Sequence, residues 1–282
     1  MSEASPAKHF VLSHDESLDA VNSWFACFGL TDANYLRSHF SRFKATRNFA
    51  LSGFPPDARL TILDVGAHWL HNAFFYANLG HSLIVTDAPD TLEREAVKKA
   101  AAAMGADIRL MRRMEKADGL SDLADDSIDL VLFCEVIEHM AFNPIPFWKQ
   151  VYRVLRPGGH AVVTTPHAFY YRNLTKRLAS LMKGESIGLS VAEIHSAGTY
   201  GHHWKEFTID ELGEYFAYLS PDFDTSRFEL IYHPGEEKIS IEGDLEKDIS
   251  QRVNIRAHSI FLDVLLREKV AGIQVKPPWE PM

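Results

Sequence analysis

The chain has 282 residues, 46% of them hydrophobic and 24% charged, with a formal net charge of −9. That length and balance fit one elaborated globular α/β domain and exclude fibrous, low-complexity and disordered classes. The acidic total excludes a polyanion-binding surface over the whole molecule, and two cysteines, Cys27 and Cys134, are too few for a disulfide framework.

Residues 1–56 read as a helical extension, with Trp24, Phe25, Phe28, Tyr35, Leu36, Phe40 and Phe43 near helical spacing, closed by Gly53, Pro55 and Pro56. From residue 57 the periodicity changes. Short apolar runs predict strands at 60–67, 81–88, 107–114, 127–134 and 160–167. Helical text lies between them at 71–80, at 91–105 (opened by Thr91, closed by Gly105) and around 147–155, and Arg156-Pro157-Gly158-Gly159 reads as a turn. Nearly continuous apolar strands alternating with helices predict a doubly wound, mostly parallel sheet covered on both faces. Further on come helices at 170–182 and 208–219, an irregular stretch at 183–205, and runs at 226–233 and 258–268 that suit an antiparallel hairpin, joined by the long acidic connection 235–250. The expected organisation is therefore a domain over 57–268 and a tail over 269–282, whose KPPWEPM reads as a surface strap or loose end. No apolar run is long enough to span a bilayer and the opening MSEASPAKHF lacks signal-peptide order, so the expected location is the cytoplasm.

In such sheets ligands bind beyond the carboxyl ends of the strands. Asp64 and Gly66 end the first strand, Asp87 the second, Glu135 the fourth, and Pro166-His167 the fifth. Asp87 is placed either to accept two hydrogen bonds from a ribose diol or to serve as a turn residue in DAPDT. The basic text Arg37, Arg42, Lys44, Arg47 reads as a solvated face or a grip on an anionic substrate. Arg172, Lys176 and Arg177 read as the exposed side of an amphipathic helix.

The order ILDVGA, VTDA, DDSIDLVLFCEVIEHM, VYRVLRPGGHAVVTTP resembles the class I S-adenosylmethionine-dependent methyltransferases, over roughly residues 60–220 and on to about 268. The resemblance implies a Rossmann-like methyltransferase fold. It also implies a cofactor whose methionine part lies over Asp64, Gly66 and Ala67, its ribose on Asp87, its adenine near Glu115 to Asp118, with Cys134 on the pocket floor. One departure stands out: the family's Asp-x-Gly-x-Gly-x-Gly loop here has His68 and Leu70 at its second and third glycines. Because glycine there permits positive φ, the loop is expected to leave the usual path while keeping residues 66–67 within reach of the cofactor.

Glu135-x-x-Glu138-His139, with His203 ahead of the helix start at Thr208, is also similar to the small-RNA 3′-terminal ribose 2′-O-methyltransferases. That likeness implies a divalent metal (Mg²⁺, Mn²⁺, Zn²⁺ or Fe²⁺) on Glu135, Glu138, His139 and His203, with His202 as the fallback ligand. The ubiquinone-biosynthesis O-methyltransferases carry similar Glu-His text, in which the acids cap the helix and His139 either acts as a base or packs against the cofactor pocket. The expected activity is methyl transfer to a hydroxyl of a sugar or other small polar acceptor, with His139 and His203 as catalytic residues. The alternatives are ribose 2′-O-methylation at an RNA end, against which the acidic charge counts, and an inactive binding protein on the same fold.

Overall fold

The computed structural model describes residues 16–184, 190–196, 198, 201–232 and 255–274. The tail KPPWEPM, the opening MSEASPAKHF and the acidic connection 235–250 lie outside the described residues. The chain divides into two compact units, residues 1–112 and 113–282.

In the first unit, helices α1 (Leu18–Ala26) and α2 (Ala33–Leu51) are opened by side-chain caps, Ser17 accepting from the Ala20 N–H and Asp32 from the Tyr35 N–H. Strands β1 (Thr61–Val65), β2 (Ser82–Asp87) and β3 (Asp107–Leu110) run parallel in the order β3-β2-β1. Helix α3 (His71–Ala77) connects β1 to β2, and all seven of its residues are buried. The helix expected at 91–105 is two: α4 (Pro89–Leu92), begun by Pro89 rather than Thr91, and α5 (Glu95–Met104), with Arg94 in extended backbone between them. Gly105 closes α5 at φ 69°.

In the second unit, β4 (Ile128–Cys134) and β5 (Leu155–Pro166) are parallel, and β5 pairs antiparallel with β7 (Ala257–Leu266), itself antiparallel to β6 (Phe223–Tyr232). Residues 128–133 of β4 are all buried, as a strand covered on both faces requires. Helix α6 (Ile145–Val154) packs Phe147 and Trp148 against Phe133, α9 (Ile209–Leu219) sets Phe216 against Trp148, and Trp148 Nε1 donates to Tyr215 Oη at 2.7 Å. α9 opens on a capping box between Thr208 and Glu211. The Arg156–Gly159 text is not a free turn: β5 passes through it as an irregularity, with Gly158 at φ 76°. Helices α7 (Tyr171–Met182) and α8 (Val191–Ser196) follow β5. The result is the mostly parallel α/β architecture with an antiparallel C-terminal pair that the sequence predicts. Among the described residues no helix is long and apolar enough to cross a membrane.

Candidate active site

The loop after β1 is held by backbone. The Gly66 and Ala67 N–H groups both donate to the Thr86 carbonyl, at 2.8 and 3.2 Å, and the His68 N–H donates to Asp87 Oδ2 at 2.8 Å. Gly66, His68 and Leu70 have φ of 75°, 48° and 68°. The loop therefore keeps left-handed backbone at His68 and Leu70 without glycine, where a departure from the usual path is expected from sequence. A leucine in that region costs about 1–2 kcal/mol, and the surroundings hold it there: Leu70 is fully buried at the start of α3. Above the loop, His68 stacks on Trp69 (4.8 Å between centroids) and meets Tyr35 of α2 at 4.9 Å. Tyr35 also lies over His71, 5.6 Å away.

Two carboxyls face this loop. Asp64 is 2% exposed, its Oδ2 has no hydrogen-bond partner, and burial, with the Asp87 charge, pushes its pKa up to about 8 although Asn72 hydrogen-bonds it. Asp87 accepts from the His68 and Ala88 N–H groups, one on each oxygen, and burial raises its pKa against those two bonds. Each Asp87 oxygen keeps a further lone pair. His71 is lowered to about 4, by burial first and then by His68, so both rings are neutral at neutral pH, His68 also being lowered by burial.

At the carboxyl end of β4 the chain makes a 3-10 turn over Ile137–His139 rather than the first turn of a longer helix. Glu138, His139 and His203 each offer a ligand atom within 4.8 Å of the others. Glu138 is completely buried: Oε2 accepts from the Thr165 hydroxyl at 3.0 Å, Oε1 has no partner, and burial followed by the Glu135 charge pushes its pKa up to about 8. Both imidazoles are tied at Nδ1. His139 Nδ1 donates to the His202 carbonyl at 2.9 Å, and His203 Nδ1 donates to Glu206 Oε1 at 3.3 Å. The lone pair of each ring is thereby left on Nε2, the tautomer that a metal ligand needs. Burial lowers the His139 pKa, whereas the hydrogen bond to Glu206 raises that of His203.

Of the residues singled out in the sequence, the structure brings Glu138, His139 and His203 together and leaves Glu135 outside the group. Glu135 stands at φ 57° with Oε1 accepting from the Thr164 hydroxyl at 3.0 Å, although its charge still acts on Glu138 and both imidazoles. His202 contributes its carbonyl and not its ring. Asp118 Oδ1 accepts from the Arg113 N–H at 3.0 Å, Cys134 is half-buried at the end of β4, and His167 is fully buried with Nδ1 donating to the Ala257 carbonyl. Sequence reasoning misses Thr164, Thr165 and Glu206. Glu206 Oε2 further accepts from Asn173 (3.0 Å) and Arg177 (2.9 Å) of α7, and its only sequence signal is its place three residues after His203.

Residues 63–163 match the profile of a family described as a methyltransferase domain. No curated protein matches the chain. Among solved structures, it is similar to a protein from Pyrococcus horikoshii (TM-score 0.52, 14% identity, 81% of this chain and 91% of that one). It is also similar to a methyltransferase in complex with the Haloferax volcanii Trm112 methyltransferase activator (0.51, 16%, 88% and 97%) and to a SAM-dependent methyltransferase from Methanosarcina mazei (0.51, 14%, 80% and 98%). At such identities the likeness speaks to fold, and the matched domain supplies the activity. Residues 63–163 therefore carry a methyltransferase domain, on a fold shared with solved S-adenosylmethionine-dependent methyltransferases.

Proposed function

We propose that this methyltransferase acts on a hydroxyl oxygen of a sugar or other small polar acceptor, with a divalent metal ion at Glu138, His139 and His203. The observation that carries the reading is Glu138, a fully buried carboxyl with one unpartnered oxygen, grouped with two imidazoles whose Nδ1–H bonds are already made. A cation is the partner such a group lacks. Ligands at about 2.0–2.3 Å from an ion stand about 3–3.5 Å apart when adjacent, so the present spread closes with small side-chain rotations. Mixed carboxylate and imidazole donors suit Mg²⁺, Mn²⁺, Zn²⁺ or Fe²⁺.

When bound, S-adenosylmethionine supplies an electrophilic methyl group and the ion lowers the pKa of a neighbouring hydroxyl. The chain's own residues bind and orient. Asp87 offers its remaining lone pairs to the ribose hydroxyls, and Asp64, held neutral by burial, gains by ionising beside a cationic cofactor. The resemblance in sequence assigns further cofactor contacts to Ala67, Asp118 and Cys134. Glu135 adds negative charge beside Glu138. In the absence of an ion, the Nε2 lone pair of His139 or His203 is the base that takes the acceptor's proton.

The grouping of Glu138, His139 and His203 also favours, as a second reading, the ribose 2′-hydroxyl of an RNA 3′ end. The net charge of −9 favours the small acceptor. The test is transfer of labelled methyl from S-adenosylmethionine to a panel of sugars, polyols and short RNAs, with and without chelator. We expect transfer to a hydroxyl acceptor that chelation and His203→Ala each reduce by about 100-fold or more. Full transfer in excess chelator would refute the metal and leave proton removal to an imidazole.

A further inference from the structure

We propose that the apolar face of α7 is a docking surface for an anionic lipid bilayer. None of the described residues of α7 is buried, and Leu178, Leu181 and Met182 are 59, 48 and 82% exposed. At about 100° per residue, Leu174, Leu178, Leu181 and Met182 fall within one arc of about 100°, while Arg172, Lys176 and Lys183 fall together on the far side of the wheel. A third side is anchored: Asn173 and Arg177 both donate to Glu206. Anchoring on that side leaves the apolar arc and the basic arc flanking the side turned away from Glu206, the layout of a helix lying in a membrane interface. Trp204, 63% exposed and two residues before Glu206, adds an amphipathic ring of the kind that settles at headgroup level.

Charge selects the occupant. Between Tyr170 and Gly184 there are four basic residues and no acidic one, in a chain of net charge −9. A second copy would set Arg172, Lys176 and Lys183 against their own kind, whereas anionic headgroups complement them. At twelve residues α7 is about 18 Å long, enough to lie on a bilayer and too short to cross one. Because Glu206 also orients His203, α7 ties this surface to the Glu138–His139–His203 group. Resting on the proposed function, this tie makes the acceptor an amphiphilic hydroxyl compound carried by the lipid phase.

The test is co-sedimentation of the full chain with vesicles of phosphatidylcholine alone or with 30% phosphatidylglycerol, free of metal and acceptor, so that failure here is separate from failure of the metal reading. Binding is expected only to the anionic vesicles, falling at high salt. It should weaken about fivefold for each of Lys176→Gln and Lys183→Gln and about tenfold or more for Leu181→Ser. S-adenosylmethionine titration of each variant verifies that it is folded. Absence of binding to anionic vesicles would overturn the proposal. So would binding that Leu181→Ser leaves unchanged in a folded variant, or a solution dimer that this substitution dissolves.

Discussion

The loop after β1 and the turn after β4 both sit at strand ends, and each is built from different materials. The first works with backbone: three left-handed residues, N–H groups already bonded to Thr86 and Asp87, and aromatic rings packed above. The second works with side chains, pairing an unpartnered carboxyl with imidazoles whose far nitrogens are tied down. A backbone site tolerates His68 and Leu70 in place of glycine as long as φ is kept, so its cost is strain. A side-chain site carries its cost as buried, uncompensated ionisable groups, which a bound cation relieves.

The largest expected effect is on pH dependence, because each region holds one carboxyl raised to about 8, Asp64 and Glu138. Unfolded, these groups lose their protons near pH 4; folded, they hold them to about pH 8. Stability contributed by their neutral forms is present in full below pH 4 and is lost as pH rises through 8. Ligand-free protein should lose up to about 10 kcal/mol across that window from these two groups together. Denaturant unfolding at pH 5 and pH 8.5, in wild type and in Asp64→Asn, isolates the share of Asp64; equal slopes in the two proteins would mean that Asp64 is ionised in the fold.

Next in size, Asp87→Ala should weaken S-adenosylmethionine binding by about 1.5–3 kcal/mol, since it removes a charged acceptor and the latch on the His68 N–H. Binding calorimetry checks this, and Glu138→Gln, in the other region, should leave cofactor affinity within about threefold, below the loss of one hydrogen bond. The smallest effect tests the strain. Leu70→Ala and Leu70→Gly both empty a buried site, but only glycine relieves φ 68°, so Leu70→Gly should be more stable than Leu70→Ala by about 1 kcal/mol, the reverse of the helix order. If thermal unfolding finds alanine the more stable, the loop is not strained at that residue.

Much of this architecture is legible in the sequence, because buried parallel strands are written as unbroken apolar runs such as Ile128 to Phe133, and α9 announces itself by Thr208 and Glu211. Elsewhere tertiary structure overrides the local signal. Arg156-Pro157-Gly158-Gly159 reads as a turn, yet pairing of β5 carries it as a strand irregularity, where a Cβ on Gly159 would stand 2.8 Å from the Arg156 carbonyl oxygen. Thr91 looks like a cap, but Pro89, with its preset φ, starts the helix first. At the site, residue types give Glu138, His139 and His203, whereas the turning of Glu135 toward Thr164 depends on a left-handed φ that no residue type signals. Glu206 looks like one more surface acid until α7 folds back to hold it between Asn173 and Arg177.

The most direct test of the metal-assisted account is calorimetric titration of Mn²⁺ or Zn²⁺ into the purified chain and three variants. Wild type should bind one ion with release of protons, His203→Ala should lose that binding, and His202→Ala should keep it, because His202 supplies only a backbone carbonyl to His139. Glu206→Gln should weaken affinity by about 10–100-fold, because Glu206 orients His203 and is not itself a ligand. A wild-type chain that binds no ion, or a His203→Ala chain that binds as well as wild type, would contradict the account.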